Sequence, residues 1–297
     1  MKRLVALLLC VVCASALAGA RQDDDEVVRI EADLVVLNVT VKDAQGRFVS
    51  KLKRSDFRVF EDKREQKISL FSMEETPFAA AILLDTSGSM ESRVTLARAA
   101  AIRFLDGLRP EDVASVYHFD SKVVQLQDFS PGRDLPPMAF DLRSKGMTSL
   151  NDAVLKAAGD LAKRPEKRRA IVLLSDGFDT QSGATRDKAL NAALAANATV
   201  YTVDMTNPDA KPVDKMQAMS ALKFYADKSG GRYVPTPGGA ALGEAFEGIL
   251  EELSNQYTVG YRPDVQARDG RWRSIELQLS RPELKARTRD GYRAPKR

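Results

Sequence analysis

The sequence predicts an α/β fold: a doubly wound, Rossmann-like parallel sheet flanked by a small β-sandwich built from both ends of the chain. Three observations predict it. Between residues 78 and 254, apolar runs of strand length alternate with segments of helical periodicity, the pattern of right-handed parallel crossovers. Before residue 78 and after residue 255 only strand texture is found. Neither flanking set buries much surface alone, so the two ends are expected to pair with each other.

In chain order, residues 1–20 read as a secretory signal peptide. Lys2 and Arg3 precede the apolar run LVALLLCVVC, and small residues lead to an expected cleavage after Ala20; the run is too short to span a bilayer. Cys10 and Cys13 are the only cysteines, and neither follows the small residues that a lipoprotein signal needs. The mature chain therefore carries no disulfide, which fits an exported bacterial protein, periplasmic or extracellular, better than a disulfide-stapled scaffold. No later stretch is long and apolar enough for a transmembrane segment.

Residues 21–77 form an expected N-terminal β module. In DLVVLNVTVKD (33–43), Val35, Leu37, Val39 and Val41 make one apolar face at period two. DAQGR reads as a turn, FRVFED as a second strand and QKISLFSM as a third. The sequons at Asn38 and Asn197 read as chance matches. Residues 78–255 form the α/β domain. FAAAILLD is a continuous apolar run, as for a strand buried on both faces. In the helix that follows, Val94, Ala97, Ala101, Phe104, Leu105 and Leu108 recur at helical spacing. Strands VASVYHF, RAIVLLSD, TVYTVDM and GRYVPT then alternate with helices at 149–163, 185–197, 214–230 and 240–255. Residues 256–297 return to strands: QYTVGYRP, WRSIELQLS and LKARTRDGY, expected to pack with the N-terminal module.

Charge excludes little. Removing Lys2 and Arg3 lowers the formal net charge from +4 to +2. From Arg262 to Arg297, eleven Lys and Arg stand against five Asp and Glu. This reads as a solvated sheet face and tail, because no nucleic-acid motif accompanies it.

The candidate site lies where a doubly wound sheet places its ligands, beyond the carboxyl ends of the strands. Asp85 ends AAAILL and Asp176 ends AIVLLS; each precedes a turn containing Gly88 or Gly177. Ser87 and Ser89 follow Asp85, and Thr148 stands before the next helix in GMTSLNDA. Two carboxylates and three hydroxyls thus converge on one sheet edge. Such oxygens suit a hard cation. With no mature cysteine and His118 as the single histidine, metals that favour sulfur or imidazole lack ligands. Mg²⁺ takes six oxygens and keeps several waters; if both carboxylates sit partly behind water, the ion accepts a further oxygen from outside.

DTSGSM, GMTSLNDA and LLSDGFD together resemble the three parts of a metal-ion-dependent adhesion site (MIDAS), and residues 78–254 resemble a von Willebrand factor type A (vWA) domain. The flanking strands resemble those of bacterial VWFA-related proteins. The resemblance implies Mg²⁺ or Mn²⁺ held by Asp85, Ser87, Ser89, Thr148 and Asp176, and a protein ligand that offers a carboxylate to the metal. The expected function is a non-enzymatic binding or adhesion protein. The alternative is a structural or assembly component of an envelope complex, with a purely structural metal.

Other readings of the same residues are weaker. Serine is favoured at helix N-caps, but capping explains one serine and not the set. Asp152 suits the first turn of its helix through the dipole, Asp179 reads as a loop carboxylate, His118 as a packed histidine, and Trp272 as sandwich packing or surface. Asp120 also ends a strand without an evident partner. A phosphatase of the haloacid dehalogenase type needs a second Asp where Ser87 stands. A serine hydrolase needs Gly-x-Ser-x-Gly and a histidine base. No glycine-rich phosphate loop with its lysine occurs.

Overall fold

The computed structural model describes residues 34–73, 76–132, 146–235, 240–265 and 267–296; the expected signal peptide lies outside them. A six-stranded sheet forms the centre. Its strands are β5 (Phe78–Asp85), β6 (Val113–Phe119), β7 (Val123–Ser130), β8 (Arg168–Ser175), β9 (Ala198–Asp204) and β10 (Tyr233–Pro235), in the order β10-β9-β8-β5-β6-β7. All pairs are parallel except β6 with β7. The direction of winding reverses at β5, so its carboxyl end faces a crevice.

β5 explains why the sheet is doubly covered. Every one of its eight residues is buried. Ala80, Ile82 and Leu84 enter one core, with α1 (Val94–Asp106) and α5 (Ala240–Ser254), while Ala79, Ala81 and Leu83 enter the other, with α2 (Leu150–Leu161), α3 (Arg186–Ala195) and α4 (Pro212–Ser229). Successive side chains alternate across a strand, so an unbroken apolar run serves two helical layers. Alanines at 153, 157 and 158 line the buried side of α2. The helical face of α1 is as expected, except that the helix ends at Asp106 with Gly107 at its C-cap; Leu108 packs on the core from beyond the helix.

The two chain ends build the β-sandwich. One sheet has the order β13-β1-β11-β4 and the other β14-β12-β2-β3. Their strands are β1 (Val35–Lys42), β2 (Phe57–Glu61), β3 (Arg64–Gln66), β4 (Ile68–Ser72), β11 (Tyr257–Tyr261), β12 (Trp272–Leu279), β13 (Lys285–Arg287) and β14 (Gly291–Arg293). β1 pairs with β11, Val35 opposite Tyr261, and β2 pairs with β12, Phe57 opposite Leu279. The alternating Val35, Leu37, Val39 and Val41 all enter the core between the sheets.

Two expectations need correction, and one strand was not anticipated. QKISLFSM is not one strand: Gln66 ends β3 in one sheet and Ile68 begins β4 in the other, with exposed Lys67 at the corner between two buried residues. LKARTRDGY divides in the same way into β13 and β14. β7 has no counterpart in the sequence reading. It is the antiparallel edge strand whose half-polar face is open to solvent on one side.

One buried carboxylate ties the sandwich to the α/β body. Glu252 of α5 is 0% exposed. Its Oε1 accepts from Tyr201 Oη of β9 at 3.0 Å, from Thr40 Oγ1 of β1 at 3.3 Å and from Arg287 Nη2 of β13. Arg232 Nε lies 3.8 Å from its Oε2. Nearby, the buried Arg168 donates to the carbonyls of Leu253 and Gln256 at 3.3 and 2.8 Å, giving the last helix and β11 a shared anchor. Truncating one partner of a buried charge cluster strands the others and costs about 3–5 kcal/mol. Glu252→Ala is therefore expected to lower unfolding free energy in urea by that order, whereas Glu247→Ala, whose pair with Arg103 is exposed on both sides, is expected to stay within about 1 kcal/mol. Equal losses in the two variants would refute the anchor.

Candidate functional site

The site begins where β5 stops. Strand pairing runs through Asp85, opposite Phe119, and Thr86 N–H continues it to Phe119 O at 2.8 Å. The chain then turns. Ser87 is extended at φ −66°, ψ 165°, and Gly88–Met90 form one 3₁₀ turn. Ser87 occupies the N-cap position of that turn but makes no side-chain capping bond there. Its Oγ lies 3.1 Å from Ser89 Oγ and also hydrogen-bonds the Asp85 carboxylate. The residue before α1 is Arg93, also without a side-chain cap. Helix capping thus does not account for either serine.

Asp85 is 0% exposed, and both its oxygens are engaged. Oδ1 accepts the Ser87 N–H at 2.9 Å and Oδ2 accepts the Ser175 hydroxyl at 2.6 Å. Ser175 in turn accepts the Gly177 N–H at 2.9 Å. Gly177 has φ +78°, and a Cβ there would meet Ala218 O at 2.7 Å, so the turn after β8 requires glycine. Asp176 Oδ1 accepts the Phe178 N–H at 3.3 Å, and its carboxylate also takes a hydrogen bond from the Ser89 side chain.

The two carboxylates resist ionisation. Burial, and then the charge of Asp176, push Asp85 up to about 7 against the hydrogen bonds from Ser175 and Ser87. Burial likewise raises Asp176, opposed first by the Ser89 hydrogen bond. Full ionisation of both is therefore disfavoured, and among the described residues that line the site no Lys or Arg offsets it.

Thr148 arrives from another direction. Its N–H donates to Thr180 Oγ1 at 2.9 Å, and its carbonyl accepts from Thr180 and Gln181 N–H at 2.9 and 3.0 Å. The backbone is thereby fixed to the loop after β8, and the Gly88 N–H donates to Gly146 O at 3.2 Å to close the other side. The outcome is a cleft of about 510 Å³ lined by Ser87, Ser89, Thr148 and Asp176. Four of the five sequence-selected residues meet there; Asp85 lies beneath, outside the lining. Among the described residues no three His, Cys, Asp or Glu side chains gather around one point, so any cation here would have to rely on hydroxyls beside two carboxylates. That donor set, all oxygen with few charges, fits a hard divalent ion.

The remaining candidates take other roles. Asp152 does more than sit in a first helical turn: its two oxygens accept the N–H groups of Gly183 and Ala184 at 2.9 Å each, bracing the loop that holds Thr180. Asp179 is a loop carboxylate, accepting from Ser182 N–H at 3.2 Å and from Asn151 Nδ2. His118 is half-buried with Nδ1 3.2 Å from Thr86 Oγ1, and burial lowers its pKa, leaving it neutral at pH 7. Asp120 accepts from Lys122 N–H at 2.9 Å. Trp272 is 37% exposed on β12.

Ser175, Thr180 and Asp204 were not singled out by the sequence. Asp204 ends β9 as Asp85 ends β5, and it raises Asp176 further. It is spoken for by Thr206 N–H at 2.8 Å and Tyr233 Oη at 2.5 Å. The strand-ending aspartate in TVYTVDM was the available signal.

A family model for the von Willebrand factor type A domain matches residues 80–178, a span that holds all five sequence-selected residues. Among solved structures, a von Willebrand factor type A protein from Catenulispora acidiphila is similar at 16% identity, covering 74% of this chain and 56% of that one, with TM-score 0.52. The pilus adhesin SpaC from Lactobacillus rhamnosus GG is similar at 11% identity, covering 86% of this chain and 48% of that one, TM-score 0.50. The PilB minor pilin from Streptococcus sanguinis is similar at 14% identity over 62% of this chain and 63% of that one, TM-score 0.48. The chain thus spans less than two thirds of each of these proteins. None of the curated proteins matches it in sequence. Residues 80–178 thus match the von Willebrand factor type A domain model, and the strand order with helices on both faces gives the α/β body the doubly wound fold that such a domain has.

Proposed function

We propose that the chain is an exported, non-enzymatic binding protein whose cleft holds Mg²⁺ or Mn²⁺ and captures an acidic residue of a protein ligand. The observation that carries this is the meeting of Ser87, Ser89, Thr148 and Asp176 in one cleft above the buried Asp85. Ser87, Ser89 and Thr148 would offer neutral hydroxyl oxygens to the ion. Asp85 and Asp176 would offer charge, Asp85 from behind because both its oxygens already accept hydrogen bonds. The bound cation supplies an electron-poor point to which a partner carboxylate binds strongly and directionally.

The charge pattern supports a cation here. The charge of Asp176 raises the cost of ionising Asp85, and a divalent ion relieves that cost. Catalysis has less support. The lining contains serines but no histidine, and His118, the single histidine of the chain, is engaged with Thr86, so no histidine base stands beside those serines. Among the described residues no helix is long and apolar enough to cross a membrane; export rests on the signal-like residues 1–20.

Calorimetric titration of Mg²⁺ and Mn²⁺ into residues 21–297, wild type beside Asp85→Ala, tests the reading. Saturable one-site binding by the wild type, lost in a variant with unchanged circular dichroism, is expected. Wild-type affinity in folded Asp85→Ala would sink the assignment. A second variant examines the hydrogen bond behind Asp85. Removing groups that orient a ligand typically costs about 10–100-fold in metal affinity, so Ser175→Ala is expected to weaken Mg²⁺ by about tenfold or more. Unaltered affinity in Ser175→Ala would mean that Asp85 needs no such support.

A further inference from the structure

The corner at Lys67 leaves one flank of the sandwich open. β3 pairs with β2 only from Val59 to Glu61, and the chain then crosses to the other sheet. Phe57 and Arg58 keep β12 on one side and have no strand partner on the other among the described residues. β3 and β4, joined at this corner, are each the last strand of their sheet. A groove of about 450 Å³ opens there, floored by the buried Phe57 and Ile68.

The cations at this groove are not matched by its one acid. Arg54, Arg58 and Lys67 line it together with Glu65, and Glu65 is already taken: Arg58 Nε and Nη2 donate to its two oxygens at 2.9 and 2.7 Å. Arg54, in the 3₁₀ turn Arg54–Asp56 before β2, and Lys67 are both exposed. Neither side chain makes a hydrogen bond or ion pair with a described residue. Lone cations commonly guard sheet edges, but here they stand over an apolar floor.

The chain itself brings an acidic segment to this place. Residues 21–33, which follow the expected cleavage after Ala20, hold six Asp and Glu against two Arg, with Asp23, Asp24, Asp25 and Glu26 consecutive. Strand register fixes where that segment joins the sandwich. Val35 lies opposite Tyr261, and Tyr261 opposite Ile68, both in antiparallel pairs. β1 and β4 therefore run the same way, and the chain before Val35 arrives at the end of the sheet where Lys67 stands. Two strand spacings, about 10 Å, separate Val35 from Ile68. Glu26 precedes Leu34 by eight residues, and that many extended residues reach roughly 26 Å. The acids Glu74 and Glu75 instead follow the opposite end of β4. We propose that Asp23–Glu26 docks in this groove, with Arg54 and Lys67 taking its carboxylates, so that the N-terminal segment covers the open flank of the sandwich. A segment tethered by so short a chain has a high effective concentration. Charge pairs too weak to hold a free peptide then suffice, and salt screens them.

The test is paramagnetic broadening in ¹⁵N-labelled residues 21–297. Cys10 and Cys13 are the only cysteines and precede this span, so Lys53→Cys carries a single nitroxide; Lys53 is exposed beside Arg54 and outside the groove lining. The amides of Asp23–Glu26 are expected to lose most of their intensity in this chain. They are expected to lose it equally when Lys122→Glu/Lys188→Glu reverses two exposed charges on the α/β body. Arg54→Glu/Lys67→Glu, with unchanged circular dichroism, is expected to restore the intensity. So is about 1 M NaCl, where the Debye length is only ~3 Å. Broadening that is the same in Arg54→Glu/Lys67→Glu, or that persists in the salt, overturns the proposal. So does the absence of broadening in the parent chain. Broadening of a ¹⁵N chain without nitroxide, mixed with a ¹⁴N chain that carries it, would place a second copy's segment in the groove and overturns it as well.

Discussion

The burial of Asp85 sets the terms for the whole upper edge of the sheet. A carboxylate placed at the end of a strand covered on both faces has little access to water. Its oxygens must be met by the protein, and Ser87 and Ser175 meet them. Those two bonds fix where the turn after β5 and the turn after β8 stand relative to each other. Ser89 and Asp176 then follow as their neighbours, and Gly177 is required because the same turn runs against α4. The site is therefore a property of two adjacent strand ends, and the Thr148 loop is added to it through Thr180.

At the opposite side of the domain a second carboxylate does comparable work for a different purpose. Glu252 gathers groups from β1, β9 and β13 around one helix. Hydrophobic contact between the sandwich and the α/β body is non-directional; the hydrogen bonds to Glu252 are not, and they fix the angle at which α5 leaves for β11. Arg289 adds to this by donating to the Leu194 and Val36 carbonyls at 2.8 and 2.9 Å, joining the end of α3 to β1 without any carboxylate.

Much of this was legible in the sequence. The doubly wound sheet could be read because buried parallel strands are continuous apolar runs and their helices carry a distinct period. Asp85 and Asp176 stood out because each interrupts such a run at its end. The pairing of the chain ends followed from each set being too small alone. What escaped had physical reasons. The β2–β3 turn uses Asp62 and Lys63 at φ +47° and +66°, a left-handed pair with no glycine to announce it. The corner at Lys67 needs no glycine or proline, only a change of neighbours. β7 alternates weakly, as an edge strand with one wet face does. Ser175 was hidden inside an apolar strand, where a serine normally reads as filler.

The pairing of β1 with β11 and of β2 with β12 has a consequence for how the chain reaches this state. β1, the first strand to be synthesised, is among the last to find its partners, since more than two hundred residues separate Val35 from Tyr261. Closing so long a loop carries an entropic cost that must be met before pairing stabilises anything, and such distant contacts slow folding. The α/β body, with its strands and helices largely adjacent in sequence, is organised to form first and to bring both ends to one place. Until then the Val35–Val41 stripe is an unpaired apolar edge, open to wrong partners. A truncation that removes β11 or β12 would therefore harm the beginning of the protein more than its middle.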